Sequence, residues 1–235
     1  MTTEEWASES KLAEALSEVV LKCQELQIDL LLIGAFAVRA HAVRRRLTTD
    51  LDFVAPRSAQ SGLAALFKSL GYDYSAHTRF GGVRAIKYAS GRKIQLDVAI
   101  DAIRDENSGN VYVIPEESFR QRLRVRVVPL EGGTGVEAYA IPLTDLLILK
   151  LMAGREQDAA DAVALILSDA FPNVIPDFKR KARDAGLMVR INTRLGELLS
   201  LTDKEIQSLM SGHTGGRLSV PEVSLVRRRL RELRI

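Results

Sequence analysis

The sequence has little cysteine and no long apolar run. Cys23 is the only cysteine among 235 residues, so no disulfide can form within the chain. It lies among apolar residues at helical spacing, which favours a place in the core over a reactive role. No apolar stretch approaches the roughly 20 residues that a membrane helix needs. The first residues are acidic and polar, unlike a signal peptide, so we expect a cytoplasmic protein with no membrane partner.

Histidine is also scarce, and its spacing excludes one kind of metal site. The three histidines, His41, His77 and His213, lie far apart and show no metal-ligand spacing. The sequence contains no internal repeat and no low-complexity segment. With 46% hydrophobic residues, a chain of this length can build a proper core.

The charge is distributed unevenly along the chain. The net charge is only +3, yet residues 171–235 hold 13 basic and 7 acidic residues, whereas the rest holds 20 and 23. A basic terminal region is typical of proteins with a polyanionic partner such as RNA. A solvated basic helix face explains the same charge equally well.

The first 141 residues mix two hydrophobic periods, which predicts helices alternating with strands. The predicted helices cover 11–26, 36–44 and a segment from Ser58 to Gly71. The predicted strands cover 28–33, 49–54, 72–77, 83–88, 93–100, 123–128 and 136–141. We therefore expect an α/β (α+β) core, residues 1–141, with one mixed sheet.

From residue 142 onward the pattern is helical throughout. Helical spacing covers 143–153 and 156–167, and further helices are predicted from Asp177 and from the capping box Thr202–Glu205. Residues 142–235 thus form a predicted helical C-terminal region. Within it, two prolines and an asparagine make 171–176 the best linker candidate. The glycines of 212–216 predict a flexible loop.

Asp50 and Asp52 lie one residue apart in an otherwise apolar stretch. In a strand their side chains project from the same face, about 7 Å apart, and repel each other unless a cation or water lies between them. Magnesium suits such a pair because it prefers carboxylate oxygens together with substrate phosphates. The Asp-x-Asp pattern alone is a weak signal, since most such pairs bind no metal.

Two neighbouring features strengthen the case for a metal. The Gly34-Ala35 turn follows a predicted strand and opens a helix, where backbone N–H groups can hold phosphate oxygens. Asp97 lies on the polar face of strand 93–100. This strand is expected to neighbour the strand that carries Asp50 and Asp52. Three carboxylates beside a phosphate-binding turn predict a two-metal site for nucleotidyl transfer.

The same residues carry a resemblance to a known family. The run from Gly34 to Arg46-Leu47-Thr48-Thr49-Asp50-Leu51-Asp52 resembles the first motif of the DNA polymerase β-like nucleotidyltransferase superfamily. It is most similar to the branch of the abortive-infection type IV toxins, with the pattern Arg-x-Thr-x-Asp-x-Asp. A second block, Lys150 with Arg155-x-x-Asp158-x-x-Asp161, resembles the helical block of that family. Together the two motifs span residues 28–168.

The resemblance implies a role for individual residues. Asp50 and Asp52 would hold magnesium, and Asp97 would complete the metal set or accept the proton of the attacking hydroxyl. Lys150 would face the triphosphate. The implied catalytic set is Asp50, Asp52, Asp97, Lys150 and Asp158, with two Mg²⁺ ions held by its first three members. The implied nucleotide-binding set is Gly34, Ala35, Arg46, Thr48, Lys150 and Arg155.

The resemblance also implies a reaction, transfer of a nucleoside monophosphate from an NTP to a hydroxyl with release of pyrophosphate. The implied acceptor is RNA or tRNA, docked by basic helices over 179–194 and 227–234, and an antitoxin protein is a further implied partner. One alternative is a small-molecule acceptor, as in antibiotic-modifying relatives. Another is a nucleotide-binding protein without catalysis, because Ala35 stands where many relatives have serine or a second glycine.

Several of these residues also have purely structural interpretations. Thr48 could brace the entrance of the strand, and the role of Arg46 stays open between bracing and binding. Lys150 could extend along its apolar helix to the surface. Arg155 and Asp158 could form an exposed ion pair, worth about 0.5 kcal/mol or less.

Overall fold

The structure is a computed structural model, which describes residues 6–42, 48–76, 81–130, 132, 134–214 and 216–235. The α-helices are α1 (Glu9–Leu26), α2 (Gly34–His41), α3 (Gln60–Ser69), α4 (Glu116–Arg120), α5 (Leu143–Ala153), α6 (Glu156–Ile166), α7 (Ile175–Asp184), α8 (Met188–Ser200), α9 (Asp203–Thr214) and α10 (Val220–Leu233). The strands are β1 (Leu31–Leu32), β2 (Asp50–Ala55), β3 (Asp73–Ser75), β4 (Val83–Ala89), β5 (Arg92–Ile100), β6 (Ala102–Arg104), β7 (Val111–Val113), β8 (Leu123–Val127) and β9 (Val136–Ala140).

In the described part of the chain, seven strands form one mixed sheet in the order β3-β4-β5-β2-β1-β9-β8. The central pair β2 and β5 is parallel, as is β1 with β9. The pairs β1–β2, β3–β4, β4–β5 and β8–β9 are antiparallel. Strands β6 and β7 form a separate hairpin. The predicted fold class, a mixed sheet with helices and a helical C-terminal region, is confirmed.

The helices pack on this sheet in two groups. Helix α1 contacts α3 and strands β2, β5 and β9, while α2 contacts β2, β8 and the pair α5–α6. Helix α5 is buried along almost its whole length, because α6, α7 and α8 all contact it. The C-terminal helices therefore share a core with the sheet and bring α5 and α6 close to β2.

Some element boundaries differ from the predicted ones. The predicted strand 28–33 is reduced to Leu31–Leu32, because Gln27 ends α1 in a left-handed conformation and the N–H of Ile28 bonds back to the helix. Helix α2 begins at Gly34 instead of Phe36. Residues 43–44 of its predicted end, and His77 of a predicted strand, lie outside the described residues.

The elements between residues 102 and 120 were missed. Strands β6 and β7 have three residues each and α4 has five, so none is long enough to show a hydrophobic period. The predicted loop over 212–216 is wrong for residues 212–214, which continue helix α9. The capping box at its start is confirmed, since the Thr202 and Glu205 side chains each accept the other's backbone N–H.

The segment predicted as a linker, 171–176, is packed against the protein. A 3-10 helix covers Phe171–Val174, and α7 begins at Ile175. Phe171 is fully buried, and the guanidinium of Arg229 lies 5.1 Å from its ring centroid. The segment therefore connects two helices within one core, whereas the division of the chain at 141 stays a prediction.

A buried polar cluster joins the two predicted halves. Asp145 on α5 accepts hydrogen bonds from the Tyr112 hydroxyl at 2.6 Å, the Ser118 hydroxyl at 2.9 Å and the Lys181 ammonium at 2.9 Å. All four side chains are almost completely buried. Because Tyr112 and Ser118 precede residue 142 and the other two follow it, the cluster ties hairpin β6–β7 and α4 to the helices.

The segment before α1 is attached to the start of β5. The backbone N–H of Ala7 donates to the carbonyl of Lys93 at 3.0 Å. The ammonium of Lys93 lies 4.7 Å from the ring centroid of Trp6. A cation at this distance is attracted to the face of an indole ring, so the contact holds the segment on the strand.

Among the described residues, no single helix is both long and apolar enough to cross a membrane. The segments Glu156–Ile166 and Phe171–Asp184 meet that criterion only when joined across a bend of 105°.

Replacing Asp145 by alanine should destabilise the protein strongly. The change leaves the buried ammonium of Lys181 without its nearest carboxylate, and breaking a buried ion pair in this way costs about 3–5 kcal/mol. Urea unfolding followed by circular dichroism measures the loss.

The matched control is Arg124→Ala. Arg124 forms an exposed ion pair with Glu137 on the sheet edge, with side chains 72% and 49% exposed. Its loss should change the free energy of unfolding by about 0.5 kcal/mol or less. Equal effects of the two substitutions would show that the buried cluster contributes no more to the free energy of unfolding than an exposed ion pair does.

Candidate active site

The register of β2 and β5 brings three carboxylates together. Asp52 pairs with Asp97 across the two strands, and Asp50 pairs with Gln95. One carboxylate oxygen from each of Asp50, Asp52 and Asp97 lies within 4.8 Å of the other two. All three side chains are partly exposed, so a ligand can reach them. The structure thus assembles the predicted metal-binding set in one place.

Gly34 lies directly against this carboxylate group. Its φ is +65°, and a Cβ at this position would meet Oδ2 of Asp52 at 2.1 Å. The N–H of the preceding residue, Ile33, donates to the carbonyl of Asp52 at 2.9 Å. Glycine is required here both by the left-handed backbone and by the close approach of the carboxylate.

Ala35 follows on helix α2 and is only 3% exposed. Its side chain belongs to the core, whereas Gly34 lines the neighbouring cleft. A nucleotide contact at Ala35 therefore falls to its backbone N–H group at the start of the helix, where phosphate oxygens are favoured.

A cleft of about 380 Å³ opens between the carboxylates, helices α5 and α6, and the tip of hairpin β6–β7. Gly34, Asp52 and Asp97 line one side. The facing side carries ionisable residues from the helices and the hairpin, namely Lys150, Arg155, Asp158, Arg104, Asp105 and Glu106. The residues of the hairpin were not predicted, because they belong to the short elements that show no periodicity.

Lys150 is buried at the cleft and bound to α6. Its ammonium lies 3.1 Å from an oxygen of Asp158 and 2.8 Å from an oxygen of Asp161. The interpretation of Lys150 as a surface lysine is therefore wrong. Lys150 also lines the cleft, and its predicted contact with a triphosphate stays a prediction.

Asp158 connects Lys150 to Arg155. It accepts a hydrogen bond from Nε of Arg155 at 2.6 Å, in addition to its contact with Lys150. Only the arginine of this pair is exposed, at 56% against 1%, so the pair is not the exposed one considered above. Burial alone would raise the pKa of Asp158, but the charges of Lys150 and Arg155 outweigh burial and lower it.

Thr48 and Arg46 are the remaining residues of the first motif. The hydroxyl of Thr48 lies 3.0 Å from Oδ1 of Asp50 and 3.1 Å from its carbonyl. Thr48 thus braces Asp50 at the entrance of β2, as its structural interpretation suggested. Arg46 lies outside the described residues.

The sequence interpretation missed the partners of Asp97. Arg84 on β4 donates to both of its oxygens, from Nε at 2.7 Å and from Nη2 at 2.9 Å. The side-chain amide of Gln95 donates a further bond at 2.9 Å. Hydrogen bonding to Asp97 raises the pKa of Arg84. Since Arg84 faces Asp97 in the β4–β5 pair, pairing the predicted strands 83–88 and 93–100 across the turn between them was the signal that could have revealed it.

Several basic residues of the C-terminal helices contact the protein itself. Arg227 donates to the carbonyls of Leu199 at 3.1 Å and Leu201 at 2.5 Å. Arg229 donates to those of Ile166 at 2.5 Å and Ser168 at 2.9 Å. These two arginines join α10 to neighbouring helices, so part of the basic charge of 227–234 is engaged within the protein, while RNA docking by this segment stays a prediction.

Two arginines of α8 bind in the same way near the cleft. Arg190 donates to the carbonyls of Met152 at 2.9 Å and Ala153 at 3.2 Å. Arg194 donates to the carbonyl of Arg155 at 3.2 Å. A cation at the C-terminal end of a helix is favoured by the helix dipole, so Arg190 stabilises the end of α5 that forms the cleft wall.

A mixed sheet that holds three carboxylates beside a glycine turn defines the nucleotidyltransferase class of proteins. Residues 12–204, more than half of the chain, match the family described as Nucleotidyl transferase of unknown function (DUF2204). The chain therefore belongs to this nucleotidyltransferase family. The predicted membership of the nucleotidyltransferase superfamily is confirmed.

Three solved structures are similar to this chain over most of its length. JHP933 from Helicobacter pylori has a TM-score of 0.53 at 12% identity, covering 98% of this chain and 94% of its own. MenT4, a nucleotidyltransferase toxin from Mycobacterium tuberculosis, has a TM-score of 0.49 at 14% identity, covering 96% and 83%. ANT(2")-Ia, solved with adenylyl-2"-tobramycin, has a TM-score of 0.39 at 15% identity, covering 94% and 97%.

At this identity the likeness to JHP933 shows a shared fold and nothing about substrates. The likeness to the other two structures is weaker, with TM-scores under 0.5. None of the curated proteins matches this sequence significantly.

Replacing Gly34 by alanine should displace Asp52 and destabilise the protein. The left-handed backbone alone costs a residue with a Cβ about 1–2 kcal/mol, and the contact with Asp52 adds to that cost. We expect a drop in thermal stability together with weaker binding of Mn²⁺, measured by calorimetry.

Gly71→Ala provides the control for backbone strain. Gly71 has a similar φ of +76°, but nothing lies within 4 Å of the position that a Cβ would take there. This variant should lose stability through strain alone and should bind Mn²⁺ normally. If both variants bind Mn²⁺ like the wild type, Gly34 has no special relation to the carboxylate group.

Proposed function

We propose that the chain is a Mg²⁺-dependent enzyme that transfers a nucleoside monophosphate from an NTP to a hydroxyl acceptor and releases pyrophosphate. The observation that supports this most is the convergence of Asp50, Asp52 and Asp97 within 4.8 Å, next to Gly34 at the start of α2. Membership of a nucleotidyltransferase family supports the same reaction.

The donor set fits magnesium. It consists only of carboxylate oxygens, which are the protein ligands that Mg²⁺ prefers, and its members are close enough to share a cation. In our proposal Asp50, Asp52 and Asp97 hold two such ions. When bound, Mg²⁺ neutralises charge on the phosphates and favours ionisation of the acceptor hydroxyl.

The chain's own residues position the nucleotide in this proposal. The N-terminus of α2 at Gly34 offers backbone N–H groups to phosphate oxygens. Arg155, half-exposed on the facing wall, offers a guanidinium to the triphosphate. Lys150 joins it by exchanging one of its carboxylate contacts for a phosphate, while Asp158 keeps both cations in place.

Asp97 has a second candidate role in this proposal, as the acceptor of the proton of the attacking hydroxyl instead of a metal ligand. It is the member of the set on β5, opposite Asp52, and it lines the cleft. NTPs and Mg²⁺ are abundant in the cytoplasm, where we place the enzyme.

We further propose RNA as the acceptor, docked outside the cleft. The cleft of about 380 Å³ has the size of a small-ligand site, so a polymer must lie along the surface. Arg228 and Arg231 are exposed and lie three residues apart, which places them on one side of α10, and exposed Arg234 follows as the C-cap of the helix. Such a row of cations suits a phosphate backbone.

The first test is labelling of total RNA with each of the four NTPs in the presence of Mg²⁺. We expect the wild type to transfer label and release pyrophosphate. Asp52→Ala should lower the rate by at least about 100-fold, since changing even the outer partners of a metal site costs 10–100-fold. Asp101→Ala serves as control, because Asp101 follows the last residue of β5, pairs there with Arg57, and is not among the residues that line the cleft.

The outcomes separate the proposal from its rivals. Nucleotide binding without pyrophosphate release, in wild type and Asp52→Ala alike, would identify a non-catalytic relative and overturn the proposal. Pyrophosphate release that depends on an added small hydroxyl compound, with RNA inert, would keep the chemistry and overturn the RNA acceptor.

The second test addresses RNA binding alone. Reversing two exposed charges with Arg228→Glu and Arg231→Glu should weaken RNA binding and lower the slope of its salt dependence by about 2. Arg124→Glu, an exposed arginine on the sheet edge, should leave the slope unchanged. Filter binding at several salt concentrations measures it, and equal slopes for all proteins would exclude α10 as the docking surface.

A further inference from the structure

Asp97 differs from the other two carboxylates in how it is held. Both of its oxygens accept hydrogen bonds from Arg84, at 2.7 and 2.9 Å, and one also accepts from Gln95 at 2.9 Å. Paired contacts between a guanidinium and a carboxylate are strong and fix the orientation of both groups. A divalent cation at the carboxylate group therefore meets an oxygen pair that is already engaged.

The sheet places this guanidinium by strand pairing. Arg84 lies opposite Asp97 in the antiparallel β4–β5 pair, while Asp52 lies opposite Asp97 on the other side, in the parallel β2–β5 pair. Asp97 thus stands between a cation on one neighbouring strand and a carboxylate on the other. The electrostatic field of Asp50 also reaches Arg84.

The arginine is the more exposed partner of the pair. Its side chain is 41% exposed, against 16% for Asp97, so water can solvate the guanidinium when a ligand displaces it. Asp97 would keep its hydrogen bond from Gln95 after such a displacement.

We infer that Arg84 is a positioning residue that lowers the affinity of the carboxylate group for divalent cations until a nucleotide binds. The inference rests on the proposed function and concerns regulation of the same site. Arg84 occupies oxygens that a cation needs, and its positive charge repels that cation. A bound triphosphate adds negative charge that offsets the repulsion, so metal and nucleotide assist each other's binding.

A second ion pair on the same sheet provides the comparison. Arg57 donates from Nε to Asp101 at 2.8 Å, just beyond the C-terminal end of β5 and outside the carboxylate group. Its side chain is 77% exposed. Removing Arg57 deletes an arginine–aspartate pair of the same type and changes the net charge equally, without touching the metal-binding residues.

The experiment measures Mn²⁺ binding by electron paramagnetic resonance, with and without a non-hydrolysable NTP analogue. Without nucleotide, Arg84→Ala and Arg84→Gln should each bind Mn²⁺ at least about tenfold more tightly than the wild type. Arg84→Lys keeps the charge but loses the paired contact, so its affinity for Mn²⁺ should lie between that of the wild type and that of the two neutral variants. Arg57→Ala should match the wild type.

Nucleotide should then strengthen Mn²⁺ binding to the wild type more than to Arg84→Ala or Arg84→Gln. Unchanged or weaker binding by both neutral variants, with their thermal unfolding still cooperative, would overturn the inference and show that Arg84 only supports the fold. If one variant fails to fold, the other decides.

Failure of the metal site on which the proposed function depends would look different. In that case the wild type and Asp52→Ala would bind Mn²⁺ equally poorly with and without the analogue, and no Arg84 variant would change this. A wild type that binds Mn²⁺ through Asp52 but is insensitive to Arg84 would contradict the present inference alone.

Discussion

The parallel pairing of β2 with β5 is the constraint on which the candidate site depends. Because side chains alternate along a strand, a slip of one residue would move Asp50 and Asp52 to the opposite face. Leu51 and Phe53 oppose such a slip, since both are buried on the other side of the sheet. The apolar residues between and beside the carboxylates therefore specify the position of the charged ones.

The register also explains why charge can accumulate here without unfolding the sheet. Two of the carboxylates have a specific side-chain partner, since Thr48 bonds to Asp50 and Arg84 holds Asp97. Like charges this close are costly unless compensated. These two partners come from different segments of the chain, so the site requires the folded sheet.

The second half of the site comes from the C-terminal helices. Lys150 and Arg155 face the carboxylates across the cleft, and α6 holds them through Asp158. Arg190 secures the end of α5, and the Asp145 cluster joins the same helix to hairpin β6–β7. The cations and carboxylates on the two walls thus belong to one packed body. Within it, several arginines of the basic helices hold neighbouring elements in place.

The sequence predicted the parts of this site that depend on local periodicity. Alternation within single strands was sufficient to place Asp50, Asp52 and Asp97 on polar faces, and helical spacing located Lys150 on an apolar helix. The burial of Lys150 between two aspartates was not predictable, because it depends on how α6 packs against α5. Arg84 was missed for a related reason, since its partner is identified only by the pairing between strands.

The count of basic residues overestimated how many arginines of the C-terminal region are available to a polyanionic partner. Composition cannot distinguish an arginine in water from one that satisfies a helix carbonyl, and Arg227 and Arg229 are of the second kind. The hairpin tip with Asp105 and Glu106 was equally hidden, because its strands are too short to carry a pattern. What could not be predicted was set by contacts between elements.

The attachment of Trp6 to β5 has a practical consequence. Trp6 is the only tryptophan in the sequence, and its ring lies against Lys93, at the beginning of the strand that carries Gln95 and Asp97. Indole emission depends on nearby charge and on exposure to water. The intrinsic fluorescence of the unlabelled protein therefore reports, from a single known position, on the strand that forms the centre of the site.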